Sequence, residues 1–131
     1  MSIDIMRPCD IENEIRLALK DYMTANVRPL PKDLSLPLIA IRSTGGSSRN
    51  TIDDFMVVLD ALAETDAEAD ELLRNALGIL EAKAASQDGA LRSVSVNSLA
   101  NWGSDPMRPD LKLRTLTVLV TAHRESLTIT K

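Results

Sequence analysis

The chain has 131 residues, which fits one domain with a continuous core. Its 44% apolar and 26% charged residues exclude a disordered chain, and a net charge of −4 with scattered Lys and Arg argues against a phosphate-backbone binder. A single cysteine, Cys9, excludes an internal disulfide, and one Trp, one Tyr and one Phe leave little material for stacking bases or sugars.

The first residues, Met1 to Met6, are too short and too polar at Asp4 to read as a secretion signal. Residues 1–9 read as a loose or partner-ordered end, with Cys9 as a small apolar residue. From Asp10 to about Asn26 the spacing predicts a helix. Ile11, Ile15, Ala18, Leu19 and Tyr22 share one face, and Asp10 is placed to cap it. Pro29 and Pro31 forbid helix and favour an extended connection. Pro37 then opens a short strand, Leu38–Ile41. Ser43–Asn50 reads as a hairpin loop in which Gly45 and Gly46 supply positive φ. A longer strand follows from about Thr51 to Leu62.

Thr65-Asp66-Ala67-Glu68 is a capping box that opens the second helix, and Asp66, Glu68, Asp70 and Glu71 suit its positive end. Ala69, Leu72, Leu73, Ala76, Leu77, Leu80 and Ala84 form its apolar stripe. Gly78 interrupts it and is expected to allow close approach to the sheet; Gln87-Asp88-Gly89 ends it. Leu91–Leu99 reads as a third strand and Asn101–Asp110 as a Pro/Gly loop. The last strand, Leu111 to about His123, changes phase from odd to even apolar positions. Two explanations stand: a β-bulge near Thr115, or a sheet covered on both faces. Residues 125–131 read as a second loose or partner-ordered end. The expected fold is a single α+β domain over 1–131 in the order α-β-β-α-β-β. Two helices pack on one face of a four-stranded, mostly antiparallel sheet.

Catalytic chemistry is not written in this chain. The single histidine, His123, has no nucleophile or orienting acid placed beside it by the pattern. No Cys/His spacing matches zinc. Asp53 and Asp54 are adjacent on a strand and point to opposite faces, so with Asp60 they make a poor cation site. The Gly45-Gly46-Ser47-Ser48 loop lacks the Lys and the following helix of a phosphate-binding loop. No enzyme activity, metal or cofactor is therefore expected, and no apolar run approaches the ~20 residues of a membrane span. What remains is surface: Arg42, Arg49 and Asn50 on the first hairpin, and Trp102, Met107 and Arg108 in the Pro/Gly loop, are the candidate contact residues, with a second reading for Trp102 in which it folds back to close one end of the core. An acidic stretch, Asp53 to Glu71, and a basic one, Arg92 to Arg124, offer opposite charges for contacts between copies.

The run Leu38-Ile39-Ala40-Ile41-Arg42-Ser43-Thr44-Gly45-Gly46-Ser47-Ser48-Arg49-Asn50 leads into an apolar strand. Ala61-Leu62-Ala63-Glu64-Thr65-Asp66-Ala67-Glu68-Ala69 then opens a Leu-striped helix, and a Pro-rich loop precedes the long strand Arg108-Pro109-Asp110 to Val120. This order of features resembles the tail terminator (tail completion) proteins of long-tailed bacteriophages. The likeness covers most of the chain from Pro37 onward, and the Thr-Asp-Ala-Glu-Ala helix start is its most specific part. It implies two helices on a sheet and a homo-hexameric ring, a virion structural protein with no catalytic residues. Such a ring ends tail-tube growth and joins the tail to the head-completion or stopper protein of the neck. It also implies the major tail tube protein as partner and assembly in the host bacterial cytoplasm. Membrane and sequence-specific nucleic acid are not implied, although the genome passes through such a ring. The rival readings are another neck ring component, such as a head-completion or stopper protein, and a small bacterial regulatory or ligand-binding α+β domain.

Overall fold

The computed structural model describes residues 1–33, 35–49, 51–105 and 108–131, and the side chains of all of these except 99–105 and 108–109. The order is β1 (Ser2–Arg7), α1 (Ile11–Leu19), β2 (Ala25–Val27), β3 (Leu38–Arg49), β4 (Ile52–Ala63), α2 (Asp66–Ser86), β5 (Leu91–Asp105), β6 (Arg108–His123) and β7 (Glu125–Thr130). The α+β class holds, but the expected four-stranded sheet is replaced by a five-stranded sheet, β2-β3-β4-β6-β5, and a separate two-stranded ribbon, β1-β7. All pairings are antiparallel except β2 with β3, which is parallel.

Period-2 geometry divides the five-stranded sheet into two faces. Val57, Leu59, Ala61 and Ala63 of β4 join Ile39 and Ile41, Leu116, Val118, Val120 and Ala122 of β6, and the apolar stripes of α1 and α2 in the main core. The alternate set faces the other way. Leu38, Ala40, Leu62 and Leu111 form a second, smaller cluster, with Leu30, Leu36 and Leu113 packed against it. The phase change in the last strand is thereby explained. The β4–β6 register runs unbroken from Ile52↔His123 to Ala63↔Lys112, so no bulge lies at Thr115 in that ladder. The sheet is covered on both faces at one end. The irregularities fall instead in the β5–β6 ladder, between Leu91 and Ser93 and at three later steps along β5.

Four local expectations are corrected. α1 stops at Leu19, with the Lys20 N–H donating to Arg16 O; the chain turns and supplies β2, so Tyr22 is exposed rather than part of the apolar face. Ser43–Arg49 is strand, not loop. A register shift between Ser43 and Gly45 marks a bulge, and the glycines serve it rather than a turn tip. A Cβ on Gly46, at φ +157°, would lie 1.9 Å from the Asp54 carbonyl oxygen, so only glycine fits this close approach. The Ser43 N–H donates to the Glu12 carboxylate at 2.9 Å, tying α1 to the bulge. The Pro/Gly loop also proves to be largely strand: β5 continues to Asp105 and β6 begins at Arg108. Finally, a Cβ on Gly78 would meet nothing within 4 Å, so this glycine is not required for helix–sheet packing.

The caps explain why α2 begins and ends where it does. Thr65 accepts from the Glu68 N–H at 3.2 Å, and its hydroxyl donates to the Glu68 carboxylate at 3.1 Å. At the other end Gln87, not Gly89, takes the left-handed conformation at φ 56°. Arg92 donates to the carbonyls of Gln87, Gly89 and Leu91, which places a cation at the negative end of the helix.

Candidate contact surfaces

The two hairpins project from opposite ends of the five-stranded sheet. The β3–β4 hairpin turns beyond Arg49 and Ile52, at the end where β6 finishes with His123. The β5–β6 hairpin turns beyond Asp105 and Arg108, past the opposite end marked by Ala63↔Lys112. The candidate contact residues are therefore divided rather than gathered. Arg42 is exposed and lies opposite Val58; Arg49, at the end of β3, donates to Asp54 at 3.1 Å. Trp102 stands opposite Arg114 and Arg108 opposite Asp105 in the β5–β6 ladder, at the far end of the sheet. Asn50 and Met107 lie outside the described residues.

The carboxylates of β4 are each engaged by an arginine. Asp60 accepts from Arg28 at 3.0 Å and from the Thr115 hydroxyl at 2.8 Å. Asp54 accepts from Arg49 and from the Thr121 hydroxyl. Asp53, on the helix-bearing face and only 3% exposed, accepts from the Ser48 hydroxyl and from Arg124. The Ser48 hydroxyl holds the Asp53 carboxyl below its ordinary pKa; burial opposes this, and Arg124 adds to the effect of Ser48. Such bonds take up the oxygen lone pairs that a cation would need. Among the described residues, no cluster of three His, Cys, Asp or Glu side chains is arranged to hold a metal. Cys9 is buried in the main core; burial first, then the charges of Glu14 and Glu125, push its thiol pKa to about 11.

Several pairs join the acidic and basic stretches within one chain. Arg124 meets Asp53 at 3.1 Å and Arg114 meets Asp70 at 3.2 Å. Those charges are thus already matched inside the protomer, and the expectation that the two stretches face each other across copies does not extend to them.

Arg124 also sits where β6 gives way to β7. Its N–H donates to Thr51 O, and its guanidinium reaches Asp53 and Ser48. This clamp ties the start of the terminal ribbon to the ends of β3 and β4. The two ends, expected to be loose or ordered by a partner, pair with each other from Ser2↔Thr130 to Arg7↔Glu125. One face of the ribbon carries Ile3 opposite Ile129 and Ile5 opposite Leu127, with the Arg7–Glu125 ion pair at its base at 2.7 Å. The other face is mostly polar, and the Thr128 hydroxyl there donates to Asp4 at 2.6 Å. Ile3 is 61% and Ile129 47% exposed, so the outer half of the apolar face is bare, while Ile5 and Leu127 nearer the body are partly buried. Sequence reasoning passed over these four residues. Their signal is the alternation in Ser-Ile-Asp-Ile-Met-Arg and Glu-Ser-Leu-Thr-Ile-Thr.

A groove of about 330 Å³ lies between α2 and the β5–β6 hairpin, lined by Leu73, Leu77, Val96 and Leu116 with Asp70, Arg74 and Arg114 at its rim. Val96 is 42% exposed there. Among the described residues, no helix is long and apolar enough to cross a membrane. Compared with known proteins, the sequence matches no protein-family model and no curated protein.

Proposed function

We propose that the chain is a structural, non-enzymatic assembly protein: a tail terminator of a long-tailed bacteriophage. In this reading it forms a homo-hexameric ring on the last ring of the major tail tube protein. The ring ends tube polymerisation and presents its other side to the head-completion or stopper protein of the neck. Its place is the tail–neck junction of the virion, with assembly in the cytoplasm of the host bacterium and the genome passing through the ring.

The observation that carries this reading is the placement of two long hairpins at opposite ends of one rigid sheet. β6 spans 16 residues, roughly 50 Å when extended. A component that stops one polymer and starts the next junction needs different surfaces at its two ends, held at a fixed distance. A sheet cored along one face, and on both faces at one end, provides that stiffness. The outer half of the ribbon, with Ile3 and Ile129 exposed, adds an apolar surface of the kind that self-association covers.

The test is to add purified protein to tail-tube protein during polymerisation and image the tubes by negative stain. Capped tubes of shortened, narrow length distribution, with a six-fold ring at one end, are expected. Tubes that grow at the same rate and to the same length with and without the protein would overturn the reading.

A further inference from the structure

The turn between α2 and β5 places side by side two groups that can react with each other. Of the five glycines in the chain, only Gly89 follows an aspartate or asparagine, and that residue is Asp88. The pair sits in an exposed bend between Gln87, where α2 ends in the left-handed conformation, and Leu91, where β5 begins. Among the described residues, neither the Asp88 carboxyl nor the Gly89 N–H has a hydrogen-bond partner. A Cβ on Gly89 would meet nothing within 4 Å, so there is room for the chain to turn here. We infer that Asp88-Gly89 is a site of spontaneous backbone modification, at which aspartate converts to isoaspartate with water as the only co-reactant. The inference is independent of the assembly reading above.

The chemistry needs a backbone nitrogen that can reach the side chain before it. The Gly89 nitrogen gives up its proton to solvent and attacks Cγ of the Asp88 carboxylic acid. A C–N bond forms, the bond from Cγ to the hydroxyl breaks, and the hydroxyl leaves with a proton as water. The product is a cyclic succinimide. Water then adds to one of its two carbonyls and opens the ring. Opening at Cγ restores aspartate. Opening at the main-chain carbonyl leaves the chain running through Cβ and Cγ, which is isoaspartate. One water leaves and one returns, so neither mass nor oxidation state changes. Glycine favours the ring because it has no Cβ to crowd the attack and few conformational restrictions.

Asp53, Asp54, Asp60 and Asp70 contrast with Asp88. The first three lie in β4, which is paired on both sides, and their carboxyls accept from Ser48, Thr121 and Thr115 as well as from arginines. Asp70 lies within α2 and meets Arg74 and Arg114. In these elements the backbone is committed to a ladder or a helix and the carboxyl to a partner. At Asp88 both are uncommitted.

The change lengthens a connection that has little slack. Arg92 donates to the carbonyls of Gln87 and Gly89, on either side of Asp88, and the Ala90 carbonyl accepts from the His123 N–H at 3.0 Å. An extra methylene in the main chain pushes these carbonyls apart. The start of β5, an edge strand, and the end of α2 should loosen together, while β3 and β4 on the far side of β6 keep their pairing.

The test ages the full folded chain for weeks in mildly acidic buffer made with heavy-oxygen water. Trypsin, cutting after Lys83 and Arg92, releases residues 84–92, in which Asp88 is the single acidic residue and asparagine is absent. A second chromatographic form of this peptide is expected, labelled with heavy oxygen and resistant to a protease that cuts before aspartate. It should form in the native protein within a few-fold of its rate in urea. Asp88→Glu, whose ring would be larger, should give none, and Asp88→Asn, which loses ammonia instead of water, should form it faster. Hydrogen exchange at the His123 amide should quicken in the aged wild type and not in aged Asp88→Glu. A native chain that yields no labelled isomer, or yields it only in urea, would overturn the inference, because the folded turn would then hold the two groups apart. A native Asp88→Asn protein that stays unmodified would do the same.

Discussion

Ile41 on β3 and Ile129 on β7 are both strand residues with an aliphatic cross-strand partner, Leu59 and Ile3, yet Ile41 is fully buried and Ile129 is 47% exposed. The difference lies in what stands over them. Ile41 lies beneath two helices in the main core, whereas Ile129 sits in a two-stranded ribbon opposite Ile3, outside that core. The body of the molecule has resolved its hydrophobic pattern within one chain and the ribbon has not. Stability should therefore be concentrated in the body, and association in the ribbon. Each prediction below either tests that division or refines it.

The largest effect is expected in the body. Leu59 is fully buried at the centre of β4, between β3 and β6. Leu59→Ala should cost about 3 kcal/mol, from lost transfer energy plus an unfilled cavity. Urea denaturation should show a fall in midpoint with unchanged slope. A loss below about 1 kcal/mol would mean that the body is not the rigid part.

Gly46→Ala comes next. The new methyl would collide with the Asp54 carbonyl, so β3 must shift at its bulge, at a cost of about 2 kcal/mol. Because that bulge is also held by Glu12 of α1, hydrogen exchange should speed up at the Ser43 amide and in α1 before it does in β6.

The pair of predictions on Gly46 and Leu59 marks what could be read in the sequence and what could not. Both helix starts, the long β4 strand and most of the main core were legible. Asp10 and Thr65 are local signals, and apolar periodicity over 12 residues or more needs no partner to be seen. The misreadings share one cause, that pairing over long sequence distance overrides local texture. Ser43–Arg49 and Asn101–Asp105 carry the glycines and serines of loops, yet each is zipped to a neighbouring strand. β2 has only 3 residues, too few to show a period. The ribbon strands do alternate, but their partners lie at opposite ends of the chain, so nothing local announced the pairing. As for contact surfaces, Arg42 and Arg49 are placed where the sequence suggested exposure, whereas the exposed outer half of the ribbon was visible only once the pairing was known.

The junction between body and ribbon should respond to acid. Asp53 is held below the ordinary carboxylate pKa of about 4, by Ser48 and then by Arg124. A depressed native pKa means that this carboxylate contributes its stability above the unfolded value, and that the contribution is lost as the pH falls through the native one. Arg124→Met removes the cation and leaves a buried carboxylate facing Ser48 alone, at a cost of about 2 kcal/mol at neutral pH. The variant should lose stability less steeply than the wild type between pH 5 and pH 3. Parallel acid titrations of the two proteins by near-ultraviolet circular dichroism would separate them. Identical curves would mean that the clamp does not govern the junction.

Gly78→Ala works in the opposite direction within the body. The position is helical and exposed, and the added methyl meets nothing, so the change should stabilise by about 1 kcal/mol through helix propensity. A rise of a few degrees in Tm with unchanged oligomer mass is the expected result.

The smallest effect on folding should come from the ribbon. Ile129 is already about half in water in the protomer, so Ile129→Ser should change the stability of the isolated protomer by less than about 0.5 kcal/mol. If the ribbon is covered in an assembly, the same change removes buried apolar surface there, and its cost appears only where copies meet. Thermal midpoints taken across a hundredfold range of protein concentration would reveal this. The wild-type midpoint should rise with concentration, because association stabilises the folded state by mass action. The Ile129→Ser midpoint should stay flat and coincide with the wild-type value at the dilute end. A wild-type midpoint that does not move with concentration would place the ribbon's apolar face in the same class as any other exposed aliphatic surface, and the division between a stable body and an associating ribbon would fail.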